Sequence, residues 1–153
     1  MSRITDLVTR IAEEFYEQMP PATPEEVAIA ERVYANEFGI EMPPGYRELL
    51  SVSNGIDFNG LSFYSCTDTT DAEGTEAAGI GESNQRLIRG VHEIDTTMRF
   101  VGETGDDLYG YDKADGKWRN VDRTSWQAGS ADNVFDTFDD LFVDVVTFYL
   151  DEM

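Results

Sequence analysis

The sequence predicts an α+β fold: a single domain over residues 1–153 with N-terminal helices, a mostly antiparallel twisted sheet and a packed C-terminal helix. Three observations predict it. Apolar residues recur at helical spacing through the first fifty positions, aromatic-rich runs broken by glycine occupy the middle, and helical spacing returns after residue 136. Runs of helices followed by runs of strands are the mark of an α+β arrangement.

Ile4, Leu7, Val8, Ile11, Phe15 and Met19 form one helical stripe, with Asp6, Glu13, Glu14 and Glu17 mostly off it. Pro20 and Pro21 end that helix and turn the chain. Thr23 is placed to cap a second helix: Pro24 suits its first turn, and Glu26 sits where a capping-box carboxylate reaches back to the cap amide. Val27, Ala30, Val33, Tyr34 and Phe38 continue its apolar face, and Gly39 supplies the permissive residue just past its end. Pro43 and Pro44 break the chain again. Tyr46, Leu49 and Leu50 then share one face of a short third helix.

Asn54-Gly55 is expected to end the third helix, because both residues tolerate positive φ. Ile56, Phe58, Leu61, Phe63 and Tyr64 have the composition of strands around a turn at Gly60. From Thr67 to Gly81 the chain is rich in Thr, Asp, Glu, Ala and Gly, which predicts a mobile excursion, and residues 84–89 predict a short helix. Residues 97–101, 107–112 and 117–122 read as three strands of an antiparallel meander, with Phe100, Tyr109, Tyr111 and Trp118 packing across strands. The last helix, residues 137–150, is apolar on most sides and carries Asp140, Asp144, Thr147 and Asp151 on one polar stripe.

A chain of 153 residues can bury a real core, since domains of that size bury roughly 70% of their unfolded surface. Hydrophobic content of 41%, with 12% aromatic residues, is too high for a disordered acidic chain despite the net charge of −20. The charge is spread: residues 1–50 carry ten acids and four bases, and the chain beyond Arg123 carries seven acids and no base. Such a polyanion repels phosphates and anionic lipid headgroups and attracts basic proteins, so neither direct nucleic-acid binding nor membrane binding is expected. Cys66 is the only cysteine, which excludes an intrachain disulfide and a four-thiolate metal site. With no stretch of about 18 apolar residues and no signal-cleavage pattern, the expected location is the cytoplasm.

The order of signals from Ala22 onward, ATPEEVAIAERVYANEFGIEMPPGYRELLSVSNG followed by GLSFYS, resembles the SUKH superfamily, which contains many bacterial immunity proteins and relatives of a fungal cell-wall regulator. Ile40-Glu41-Met42-Pro43 and Tyr46-Arg47-Glu48-Leu49-Leu50 are similar to the family's pattern in register, with a weaker likeness over residues 100–122 and 137–141. The resemblance implies one SUKH-like domain and a non-enzymatic immunity role: binding a cognate bacterial toxin and blocking its active site or an essential exosite. Charge agrees with a basic toxin, such as a nuclease whose groove the inhibitor's carboxylates would occupy in place of phosphates. Two alternatives accompany this reading. One is an intracellular regulatory scaffold of the same fold; the other is a carboxylate-dependent carbohydrate hydrolase, with Asp57, Asp106 and Asp107 as candidate carboxylates and Trp118 as a sugar platform.

The side chains supply little reactive chemistry. His92 is the sole histidine and no serine or cysteine stands in a nucleophile motif beside it. Cys66 follows Phe63-Tyr64-Ser65 and is expected to be buried and quiet, with acidic neighbours raising its pKa. Asp112 and Asp115-Gly116 fail the EF-hand spacing and fit a hairpin turn, while Gly79-Ile80-Gly81 lacks both the dinucleotide fingerprint and a P-loop lysine. No catalytic residue, cofactor or metal site is therefore expected. The candidate partner-binding residues are Glu103, Asp106 and Asp107 around a turn and Asp140 and Asp144 on the last helix, each of which would otherwise serve as solubilising surface.

Overall fold

The structure is a computed structural model that describes residues 3–15, 19–70, 76–89, 97–123 and 134–151. Among the described residues, five α-helices and an antiparallel sheet form an α+β fold with helices at both ends. The helices α1 (Arg3–Phe15), α2 (Pro24–Val33) and α3 (Pro44–Val52) precede the strands β1 (Ile56–Phe58) and β2 (Leu61–Phe63). After them come β3 (Thr69–Thr70), β4 (Glu76–Ala77), α4 (Ile80–Arg89), β5 (Met98–Glu103), β6 (Asp107–Asp112), β7 (Lys117–Asp122), β8 (Val134–Phe135) and α5 (Phe138–Asp151). Six strands pair antiparallel in the order β1-β2-β5-β6-β7-β8, and β3 and β4 form a separate ribbon.

The local signals act as expected at the helix ends. Thr23 accepts from the Glu26 amide while the Glu26 carboxylate accepts from the Thr23 amide, completing the capping box with Pro24 in the first turn. The second helix, however, does not stay α-helical to its end: Tyr34–Phe38 is a single π-helical turn. Gly39, at φ 72°, donates its amide to the Tyr34 carbonyl five residues back. This wider turn accompanies the burial of both Tyr34 and Phe38, whose rings lie 4.4 Å apart. Pro43 separates it from α3 as expected, whereas Pro44 opens the first turn of α3.

Asn54 corrects the expected reason for the Asn-Gly pair. Gly55 alone has positive φ, at 87°, and Asn54 serves through its side chain. Its Oδ1 accepts from the Cys66 amide at 2.9 Å, and its Nδ2 donates to Glu26 at 3.3 Å. It thereby ties the end of α3 to the segment after β2 and to the capping carboxylate of α2. The turn between β1 and β2 places Asn59 at φ 50° and Gly60 at φ 83°, the left-handed pair that a two-residue hairpin requires.

The described residues between Thr67 and Gly81 are also more regular than their composition predicts. Thr69 and Thr70 pair with Ala77 and Glu76, Ser65 bridges Gly79, and α4 already starts at Ile80, four residues before the expected helix. Residues 71–75 lie outside the described residues. Asn84 explains why α4 stays where it is. Its side chain donates to the Phe100 carbonyl and accepts from the Phe100 amide, so a helix side chain completes β5 where the bulge at Phe100/Gly102 interrupts the ladder.

The meander β5-β6-β7 forms as expected, though β5 runs to Glu103 and not only to Val101, and Tyr111 stands directly opposite Trp118 with their rings 5.0 Å apart. Strand β8, which has no two-residue signal of its own, extends the sheet by pairing with Trp118 and Arg119. Helix α5 packs on β7 and β8 and against α1 and α3. Phe138, its first residue, lies within 5.0 Å of Tyr46, 5.6 Å of Trp118, 5.6 Å of Phe142 and 6.1 Å of Phe63 by ring centroids. One aromatic cluster thus joins α3, the sheet and α5.

Candidate functional site

The five candidate acids occupy two regions. Glu103 ends β5, Asp106 lies in the following turn and Asp107 opens β6. Thr104 organises that turn: its hydroxyl accepts from the amides of Asp106 at 3.2 Å and Asp107 at 3.0 Å. Glu103 is engaged inside the protein, accepting from the Tyr64 hydroxyl at 3.1 Å and pairing with Arg123, which also donates to the Thr104 carbonyl. It acts as a clasp between β5, the turn and the end of β7. Asp106 is exposed and its carbonyl accepts from the Arg123 amide.

On α5 the polar stripe divides in the same way. Asp140 pairs with Arg3 at 3.3 Å and Asp151 with Arg10 at 3.4 Å, so α1 offsets two of its charges. Asp144 is exposed and has no ion pair among the described residues. It lines a groove of about 260 Å³ between α5 and the sheet, which Asp107 lines as well. The two sequence-predicted patches therefore meet through one acid from each.

Sequence reasoning did not find the rest of this groove. Tyr109 and Asn120 come from β6 and β7, and Val145, Phe148 and Tyr149 come from α5. Phe148 is 57% exposed, the most exposed large apolar side chain described, and packs edge-on to Tyr149 at 5.4 Å. Asn120 donates to Asp107 at 3.4 Å, while its own Oδ1 is buried with no hydrogen-bond partner among the described residues. Burial raises the Tyr109 phenol pKa, and the Tyr149 hydroxyl and Asp107 carboxylate raise it further, so it stays protonated. The available signal was Phe148 itself, one helical turn after Asp144 and one before Asp151 on an otherwise polar stripe.

Trp118 is 3% exposed and packs against Phe138, so it presents no open face to a sugar. Burial raises the Asp57 pKa, a Ser62 hydrogen bond opposes the rise, and Glu103 adds to it. Asp112 and Asp115 accept turn amides from Ala114 and Lys117, as a hairpin requires. His92 lies outside the described residues. Among the described residues no group of three or more His, Cys, Asp or Glu is placed to hold a metal ion, and no helix is long and apolar enough to cross a membrane.

Cys66 is fully buried, and burial, with Glu26 adding to it, pushes its pKa up to about 12. Its thiol should react with a disulfide reagent at pH 8 at least about a hundredfold more slowly in the folded chain than in urea. Equal rates would contradict the burial. The same shift sets a pH dependence. Between the unfolded thiol pKa near 8.5 and the folded value of about 12, the unfolded state loses a proton that the folded state keeps, so stability falls as pH rises. Cys66→Ala should lessen that fall in urea titrations between about pH 8.5 and 10.

No protein-family model matches the chain, and no curated protein matches it.

Proposed function

We propose that this chain is a non-enzymatic binding protein of the immunity type that neutralises a cognate bacterial toxin of basic surface, plausible examples being nuclease toxins. The observation that supports it most is the convergence of Asp107 and Asp144, from the sheet and from α5, on an open groove edged by exposed Phe148. A surface that combines steering charge with an aromatic anchor has the two parts of a protein-binding site: charge speeds encounter and the aromatic slows release. The net charge of −20 supports a positive partner, and the ordered likeness to the SUKH superfamily over residues 22–65 supports toxin neutralisation in particular.

The test is co-expression with each secreted toxin domain that the neighbouring genes encode. The expected result is restored growth and co-purification of the two chains. A folded, well-expressed chain that neither restores growth nor binds the toxin would overturn the proposal.

A further inference from the structure

We infer that the aromatic groove between α5 and the sheet seats one large apolar side chain of the basic partner, carried on a segment with lysine or arginine on either side of it; this deepens the binding function proposed above and rests on it. Phe148 of α5 is 57% exposed, and Phe135 of β8 and Tyr149 of α5 line the groove with it, both half-buried. The Phe148 and Tyr149 rings already meet edge-on at 5.4 Å, so this wall is set before a partner arrives. The groove, at about 260 Å³, has room for one large side chain. Covering Phe148 removes apolar surface from water, which a purely charged contact would leave wet. Val134, the other exposed large apolar side chain described, precedes Phe135 in β8 and therefore points to the opposite face of the sheet.

Charge decides what carries the anchor. Asp107 lines the sheet wall and Asp144 the helix wall, neither has an ion pair among the described residues, and no basic side chain lines the groove. A base on each side of the anchor thus meets an acid on each wall. A second copy of this chain, with its own net charge of −20, would be repelled at the same place, as would an anchor flanked by acids.

The test titrates the full chain at low ionic strength with three acetylated, amidated tripeptides, Lys-Trp-Lys, Lys-Ala-Lys and Glu-Trp-Glu, followed by NMR. Lys-Trp-Lys should give saturable shifts centred on Phe135, Asp144, Phe148 and Tyr149. Lys-Ala-Lys, which keeps the charge and loses the anchor, should bind at least about fivefold more weakly, and Glu-Trp-Glu should not saturate. Phe148→Ala, at an exposed position that leaves the core intact, should weaken Lys-Trp-Lys about fivefold, whereas Val134→Ala should leave it unchanged. Equal binding of Lys-Ala-Lys or of Glu-Trp-Glu, shifts dispersed over the acidic surface, or an unaffected Phe148→Ala chain would each overturn the inference. Its failure is distinguishable from that of toxin binding. Undiminished toxin affinity and growth rescue by the Phe148→Ala chain remove the groove contact alone, and failure of the unaltered chain to rescue removes the toxin, whatever the peptides do.

Discussion

Phe138→Ala is expected to destabilise the protein by about 3–5 kcal/mol, the range for truncating a buried phenylalanine without collapse of the site. Phe138 is 1% exposed and touches the rings of Tyr46, Phe63, Trp118 and Phe142. These belong to α3, β2, β7 and α5, so the cavity lies where four elements meet and none can close it alone. The loss is a large fraction of the roughly 5–15 kcal/mol that holds a domain folded, and here it adds to the self-repulsion of a net charge of −20. Urea unfolding monitored by tryptophan fluorescence and circular dichroism measures it. Phe138→Leu, which keeps most of the volume, should cost less than half as much, and equal costs for both variants would deny the cluster its central place.

Gly110→Ala should be comparably damaging for a different reason. Gly110 faces Phe100 across β5 and Arg119 across β7, so it sits inside the sheet. A Cβ there would overlap the Arg99 carbonyl oxygen and approach the Arg99 carbonyl carbon and Phe100 Cα to 3.0 Å. Those atoms are backbone and cannot rotate away. Either β5 and β6 separate at the bulge, which also strains the bidentate contact from Asn84, or the residue distorts. The expected cost is roughly 3 kcal/mol or more. Gly105→Ala is the matched control, because nothing lies within 4 Å of its Cβ position. A Gly110→Ala chain as stable as the Gly105→Ala chain would contradict the close strand approach.

The fold was readable wherever a signal is local. Thr23, Glu26, Gly39 and Pro43 mark helix ends through their own backbone chemistry, and Asp115-Gly116 marks the turn between β6 and β7. What escaped depends on distant partners. Strand β8 exists because Trp118 and Arg119 offer it a ladder, and the first turn of α4 is held through Gly79 beside Ser65 and Asn84 on β5. The π turn comes from where the Gly39 amide finds a carbonyl. The candidate site divides along the same line. Its acids were visible as charges, but only the packing of α1 on α5 reveals that Asp140 and Asp151 face Arg3 and Arg10, leaving Asp144 to meet Asp107 across the groove. Glu103, equal to the others in sequence, is a structural clasp to Tyr64 and Arg123.

The claim that this chain acts by occupying a basic macromolecule, with no chemistry of its own, is tested most directly by titrating a fixed amount of the cognate toxin domain with the purified protein while toxin activity is followed. Inhibition should reach completion at a fixed molar ratio, and high salt should release toxin of unchanged mass and full activity. One molecule of this protein silencing many toxin molecules, or toxin recovered chemically altered, would contradict it.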